Sequence, residues 1–120
     1  MHIQFAELPV RDQMRAKRFY IDALGCSVAA DAPMGSDGWR WIELKFSGSE
    51  TTLHLVRARE DASDEPVLVL VDDDVAATVE RLRSQAVEIL VEPHSPAWQP
   101  GRIVAAFRDS EGNHMMIGSR

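Results

Sequence analysis

Phe5, Glu7, Trp39, Trp41, Glu43, His54, His114 and Met116 are spaced so that, on extended chain, they fall opposite faces of plain aliphatic residues. Their types define the chemistry open to them. The rings at 5, 39 and 41 can stack on a flat molecule. Glu7 and Glu43 can pair with a positive charge. The imidazoles of His54 and His114 can hydrogen-bond or coordinate a metal. An aromatic, concave surface with a few polar groups is the usual form of a small-molecule site. Other chemistries lack their residues. Cys26 has no base beside it in sequence, so packing is its expected role. No nucleophile elbow, phosphate loop or Cys-x-x-Cys pair occurs. The run Asp72-Asp73-Asp74 precedes an apolar helix face, where negative charge is favoured by capping and the helix dipole.

The elements that must position these residues can be read from periodicity. Residues 3–10 predict a first strand, with Ile3, Phe5 and Glu7 on one face and Ala6, Leu8 and Val10 on the other. Asp12 is placed to cap a helix whose apolar stripe is Ala16, Phe19, Tyr20, Ala23 and Leu24. Gly25 falls where a left-handed residue ends it. A weak strand is expected at 26–30, then turn-rich chain at 31–38. Strands follow at 39–46 and 51–57. In the first, Trp39, Trp41 and Glu43 oppose Ile42 and Leu44; in the second, Thr52, His54 and Val56 oppose Leu53 and Leu55.

Residues 59–66, REDASDEP, are acidic and poor in apolar groups, and mark the midpoint. The plan then repeats. A wholly apolar strand at 67–71 is expected to be buried on both faces. A helix follows with face Val75, Val79, Leu82 and Ala86, then strands at 87–92, 103–108 and 114–118 around a loop at 93–101. The expected fold is α+β, one domain of residues 1–120 built from two tandem βαβββ modules at 1–60 and 66–120. Two such sheets side by side would curl around a trough lined by the aromatic and polar face.

Composition narrows the partners. A net charge of −6 argues against nucleic acid, which needs a basic face, and does not oppose a cationic ligand. One cysteine makes no internal disulfide, so a reducing cytoplasmic setting is expected. No apolar run approaches a membrane span, and Glu7 and Pro9 interrupt what would be a leader's apolar region.

LPVRD at 8–12, RFYIDALG at 18–25, AWQPGR at 97–102, FRDSEGN at 107–113 and the half-chain repeat together resemble the vicinal oxygen chelate superfamily. That group includes glyoxalase I, extradiol dioxygenases, and bleomycin- and fosfomycin-resistance proteins. The resemblance implies the paired-module fold and a homodimer. It implies that the 93–101 loop edges a pocket, with Trp98 as a wall or lid and Arg102 beside it. It also implies four metal-ligand positions, which here carry Phe5, His54, Pro66 (or Val67) and Met116. Only His54 suits a divalent metal; Phe5 has no lone pair, and the Met116 thioether is soft. The expectation is therefore a binder of a flat or cationic small molecule, without a catalytic metal. Its ligand contacts would be Phe5, Glu7, Trp39, Trp41, Glu43, His54, Trp98, Arg102, His114 and Met116. The alternative is a metal-dependent enzyme with a shifted Glu7/His54/His114 site, in which a divalent metal held through His54 would act as a Lewis acid.

Overall fold

Two helices and eight strands form in the expected order, with the second strand ending later than expected and the sixth shifted by two residues from the expected 87–92. A computed structural model describes all 120 residues. The elements are β1 (Phe5–Val10), α1 (Gln13–Asp22), β2 (Ser27–Pro33), β3 (Arg40–Lys45) and β4 (Thr52–Arg57). The same series follows as β5 (Leu68–Val71), α2 (Val75–Ser84), β6 (Ile89–His94), β7 (Val104–Arg108) and β8 (His114–Gly118). The chain divides into two compact units, Met1–Asp61 and Ala62–Arg120. No helix is long and apolar enough to cross a membrane.

Unit 1 is a four-stranded mixed sheet in the order β1-β4-β3-β2. β1 and β4 are parallel, and the other pairs antiparallel. Asp12 caps α1 by accepting from the Arg15 N–H. Gly25 ends it at φ +74°, its N–H bonded to the Ile21 carbonyl. Ala16, Tyr20 and Ala23 are buried with Leu8, Val10, Ile42, Leu44 and Leu55. Gln13 joins that face although it is polar. Its side-chain amide donates to the Arg40 carbonyl at 2.7 Å and accepts from the Arg40 N–H at 2.9 Å, so the helix start is tied to β3. β2 runs further than expected, through Asp31, Ala32 and Pro33. Asp31 accepts from Arg40 Nε at 2.6 Å and Lys17 Nζ at 2.9 Å, and these contacts hold the turn-rich sequence in register with β3.

Unit 2 repeats the order as β5-β8-β7-β6, again with one parallel pair, β5–β8. Asp74 caps α2, and Val75, Val79 and Leu82 pack with Phe107, Met115 and Ile117 in the core. Two expectations fail here. Val69 and Val71 are 55% and 57% exposed, so β5 is not buried on both faces. It is an edge strand, and its apolar run reads the same whether one face or two is covered. Ala86 is exposed rather than part of the α2 face, because the chain turns there at φ +61° to end the helix.

Candidate functional site

The odd face of unit 1 assembles as a ring cluster. Glu7 and His54 are register partners across β1 and β4, and His54 and Glu43 across β4 and β3. Strand alternation then puts Phe5, Trp41 and Thr52 on the same face. Trp41 stacks on His54, centroids 3.8 Å apart and planes 29° apart. Phe5 meets His54 edge-on at 5.0 Å and Trp41 at 6.0 Å.

Glu43 fixes that stack. One carboxylate oxygen accepts from the Trp41 indole N–H at 2.8 Å, and the other from the Thr52 hydroxyl at 2.6 Å. The Thr52 bond, then the Trp41 bond, hold the Glu43 carboxyl below the usual carboxylate range, and the nearby His54 ring adds to this. The orientation of the indole is thus set before any ligand arrives. His54 is buried at 8% exposure, and its Nδ1 has no hydrogen-bond partner. A buried, unpaired ring nitrogen is costly, which marks this position as one not shaped for stability alone.

Beside His54 opens a cleft of about 520 Å³, lined by Met34, Asp37, Trp39, Val56 and Arg57. Sequence reasoning missed Met34, Asp37, Thr52, Val56 and Arg57 as site residues. Thr52 and Val56 had a signal, since they lie two residues either side of His54 on one strand face. Met34 and Asp37 had none, because they come from a loop whose path depends on contacts distant in sequence.

The remaining expected residues lie in unit 2. His114 directs Nδ1 at the Asp64 carbonyl. Met116 sits between Val69 and Ala106 in the sheet register. Trp98 is 71% exposed on its loop. The Arg102 guanidinium lies over Gly118, where an added Cβ would come within 2.7 Å, and bonds the Ser119 carbonyl and the Gln99 side chain. No three His, Cys, Asp or Glu side chains are grouped to hold a metal ion. Of the positions that the resemblance implies for a metal, Phe5, His54, Pro66 (or Val67) and Met116, only His54 has a side-chain donor suited to a divalent ion, so this set does not fit one. Cys26 is buried, and burial pushes its thiol up to about 12, which suits packing and not nucleophilic attack.

Residues 2–117 match the family pattern of the glyoxalase/bleomycin resistance protein/dioxygenase superfamily. The chain belongs to this superfamily. Among curated proteins it is similar to the uncharacterized protein YetH of Bacillus subtilis strain 168, 33% identical over 111 residues, 90% of this chain and 89% of YetH. Among solved structures it is similar to TnmS3, an antibiotic binding protein from Streptomyces sp. CB03234. That match has a TM-score of 0.81 and 31% identity, and covers 99% of this chain and 95% of TnmS3. A superfamily member from Sphaerobacter thermophilus DSM 20745 superposes with a TM-score of 0.86 at 20% identity, over 100% of this chain and 98% of its own, and shares the fold. The superfamily is broad in chemistry, so the residues on the face must decide the function.

Proposed function

We propose that this superfamily member binds a flat or cationic small molecule, of the kind an antibiotic-binding protein takes, and does so without a catalytic metal. The observation that carries the reading is the Trp41–His54 stack held in place by Glu43. A ring oriented in advance loses little freedom when a planar ligand stacks on it, so more of the contact becomes affinity. Glu43, kept ionised by its two donors, and Glu7 favour a positive ligand. The similarity to TnmS3 supports the same class of ligand.

The protein acts as a homodimer in this proposal. Support comes from unit 2, where Val69, Met116, Ala106 and Val91 form one apolar row across four strands, with Val69 and Val91 exposed. Gel filtration at a monomer's mass would remove that part. The binding reading is tested by calorimetric titration of planar aromatic compounds, cationic and neutral, against wild type and Trp41→Leu. Saturable binding weakened about tenfold in Trp41→Leu is expected. Absence of binding by the whole panel, or affinity unchanged by the substitution, would overturn it. Metal content is measured on protein purified without chelator or affinity tag, wild type beside His54→Ala. Stoichiometric Mn, Fe, Ni or Zn, lost in the variant, would replace the metal-free reading with the metalloenzyme.

A further inference from the structure

The cleft of unit 1 holds an arrangement that the stacking platform does not use. The Arg57 guanidinium carbon lies 4.3 Å from the Trp39 ring centroid, and its Nη2 is 2.9 Å from an Asp37 carboxylate oxygen. A cation over an indole face, with a carboxylate beside it, is how proteins recognise ammonium and guanidinium groups. Here the cation is the chain's own.

The seat is built, and its occupant is loosely held. Asp37 is held beside Trp39 because its other oxygen accepts from the Trp39 backbone N–H at 3.0 Å. Gly35 and Gly38 take positive φ, +76° and +85°, which lets the short loop bring Asp37 back over the cleft. Met34, Val56 and His54 line the same space. The Arg57 and Asp37 side chains are 58% and 63% exposed, so solvent screens their attraction. Arg57 is the last residue of β4, and its side chain can swing away while its backbone stays paired to Val10.

We propose that Trp39 and Asp37 form a cation subsite of the cleft, which Arg57 fills in the free protein and which an organic cation on a flat ligand takes by displacing the Arg57 guanidinium. The proposal rests on the small-molecule reading above and specifies the charged part of the ligand. Arg57 is then a self-competitor that sets the affinity threshold. A neutral planar molecule gains nothing from displacing it.

The test uses N-methylacridinium as the cationic probe and acridine, at mildly alkaline pH where it is neutral, as its comparator. Calorimetric titrations of the full chain are run on wild type, Arg57→Gln, Arg57→Lys and Asp37→Asn. Arg57→Gln is expected to bind N-methylacridinium about three- to tenfold more tightly, and acridine unchanged. Arg57→Lys should stay near wild type, and Asp37→Asn should weaken the cation about threefold or more. Removing a positive charge also raises cation affinity at long range. The Arg57→Gln gain is therefore measured again in a Trp39→Leu background, where displacement predicts that it disappears. A gain that persists there, or no gain at all, overturns the self-occupied subsite while leaving the binding reading intact if the probes still bind. Failure of both probes with every variant overturns the binding reading and the subsite together.

Discussion

Glu7, His54, Glu43 and Ala30 form one row of register partners across the sheet of unit 1. Val69, Met116, Ala106 and Val91 form the matching row of unit 2. One residue further along, on the opposite face, Leu8 pairs with Leu55 and Leu70 with Ile117. The core rows are alike and the outer rows are opposites. A core position must fill volume under a helix, so the fold dictates its chemistry. An outer position is under no such demand, so it is there that polar, aromatic and ionisable groups can be installed. In unit 1, Glu43 and His54 of this row are joined through their neighbours on the same face, Thr52 and Trp41, in one chain of contacts. The row of unit 2 is apolar throughout, with Val69 and Val91 exposed and Ala106 buried.

The largest effects should come from the rows that match. Leu55→Ala in unit 1 and Ile117→Ala in unit 2 remove side chains at equivalent places, 0% and 2% exposed. Each should cost about 2–5 kcal/mol of unfolding free energy in urea, as buried large-to-small changes do. A cost under about 1 kcal/mol for either one would break the equivalence of the two cores.

A second difference lies at the helix starts, and its effect should be smaller. Both helices begin just after a capping aspartate, Asp12 or Asp74. The first helical residue is Val75 in α2 but Gln13 in α1. Gln13→Val, which gives unit 1 the residue of unit 2, leaves the Arg40 N–H and carbonyl without their partner. A loss of about 1–3 kcal/mol is expected in the same urea experiment. A neutral outcome would mean that water replaces the amide and that the tie to β3 is not structural.

These residues also show what could be read from the sequence. The caps at Asp12 and Asp74, the stop at Gly25 and the alternation that separates His54 from Leu53 and Leu55 are local signals, and the structure repeats them. Phe5, Glu7, Trp41, Glu43 and His54 were identifiable as one face for the same reason. Contacts that join distant segments were not legible. Gln13 is no part of the apolar stripe, and its burial depends on Arg40, 27 positions later. Asp31 to Pro33 looked like a turn because Lys17 and Arg40 supply the pairing. The exposure of Val69 and Val71 follows from strand order, which periodicity does not carry. The Asp37–Arg57 pair needs the path of a glycine-bearing loop.

The smallest expected effect is also the one most specific to the outer rows. Glu43 has a lowered carboxyl, chiefly through the Thr52 hydroxyl. A carboxyl lowered by folding adds stability above its unfolded value, about 4.3, and that stability is lost as pH falls through the lower folded value. Thr52→Val removes the main cause, so the variant should be less stable than wild type near neutrality. The gap should narrow as the pH drops below the usual carboxylate range. Glu43→Ala, which installs the residue found at Ala106 in unit 2, should abolish this part of the acid dependence altogether. Urea unfolding across the acid range, with the Glu43 carboxyl followed by NMR, reads both. A gap that stays constant with pH would mean that Thr52 acts by packing and not through the charge of Glu43. Thr52 would then contribute shape to the outer row of unit 1, and the charge that distinguishes it from the row of unit 2 would rest on the Glu7 and Glu43 carboxylates themselves.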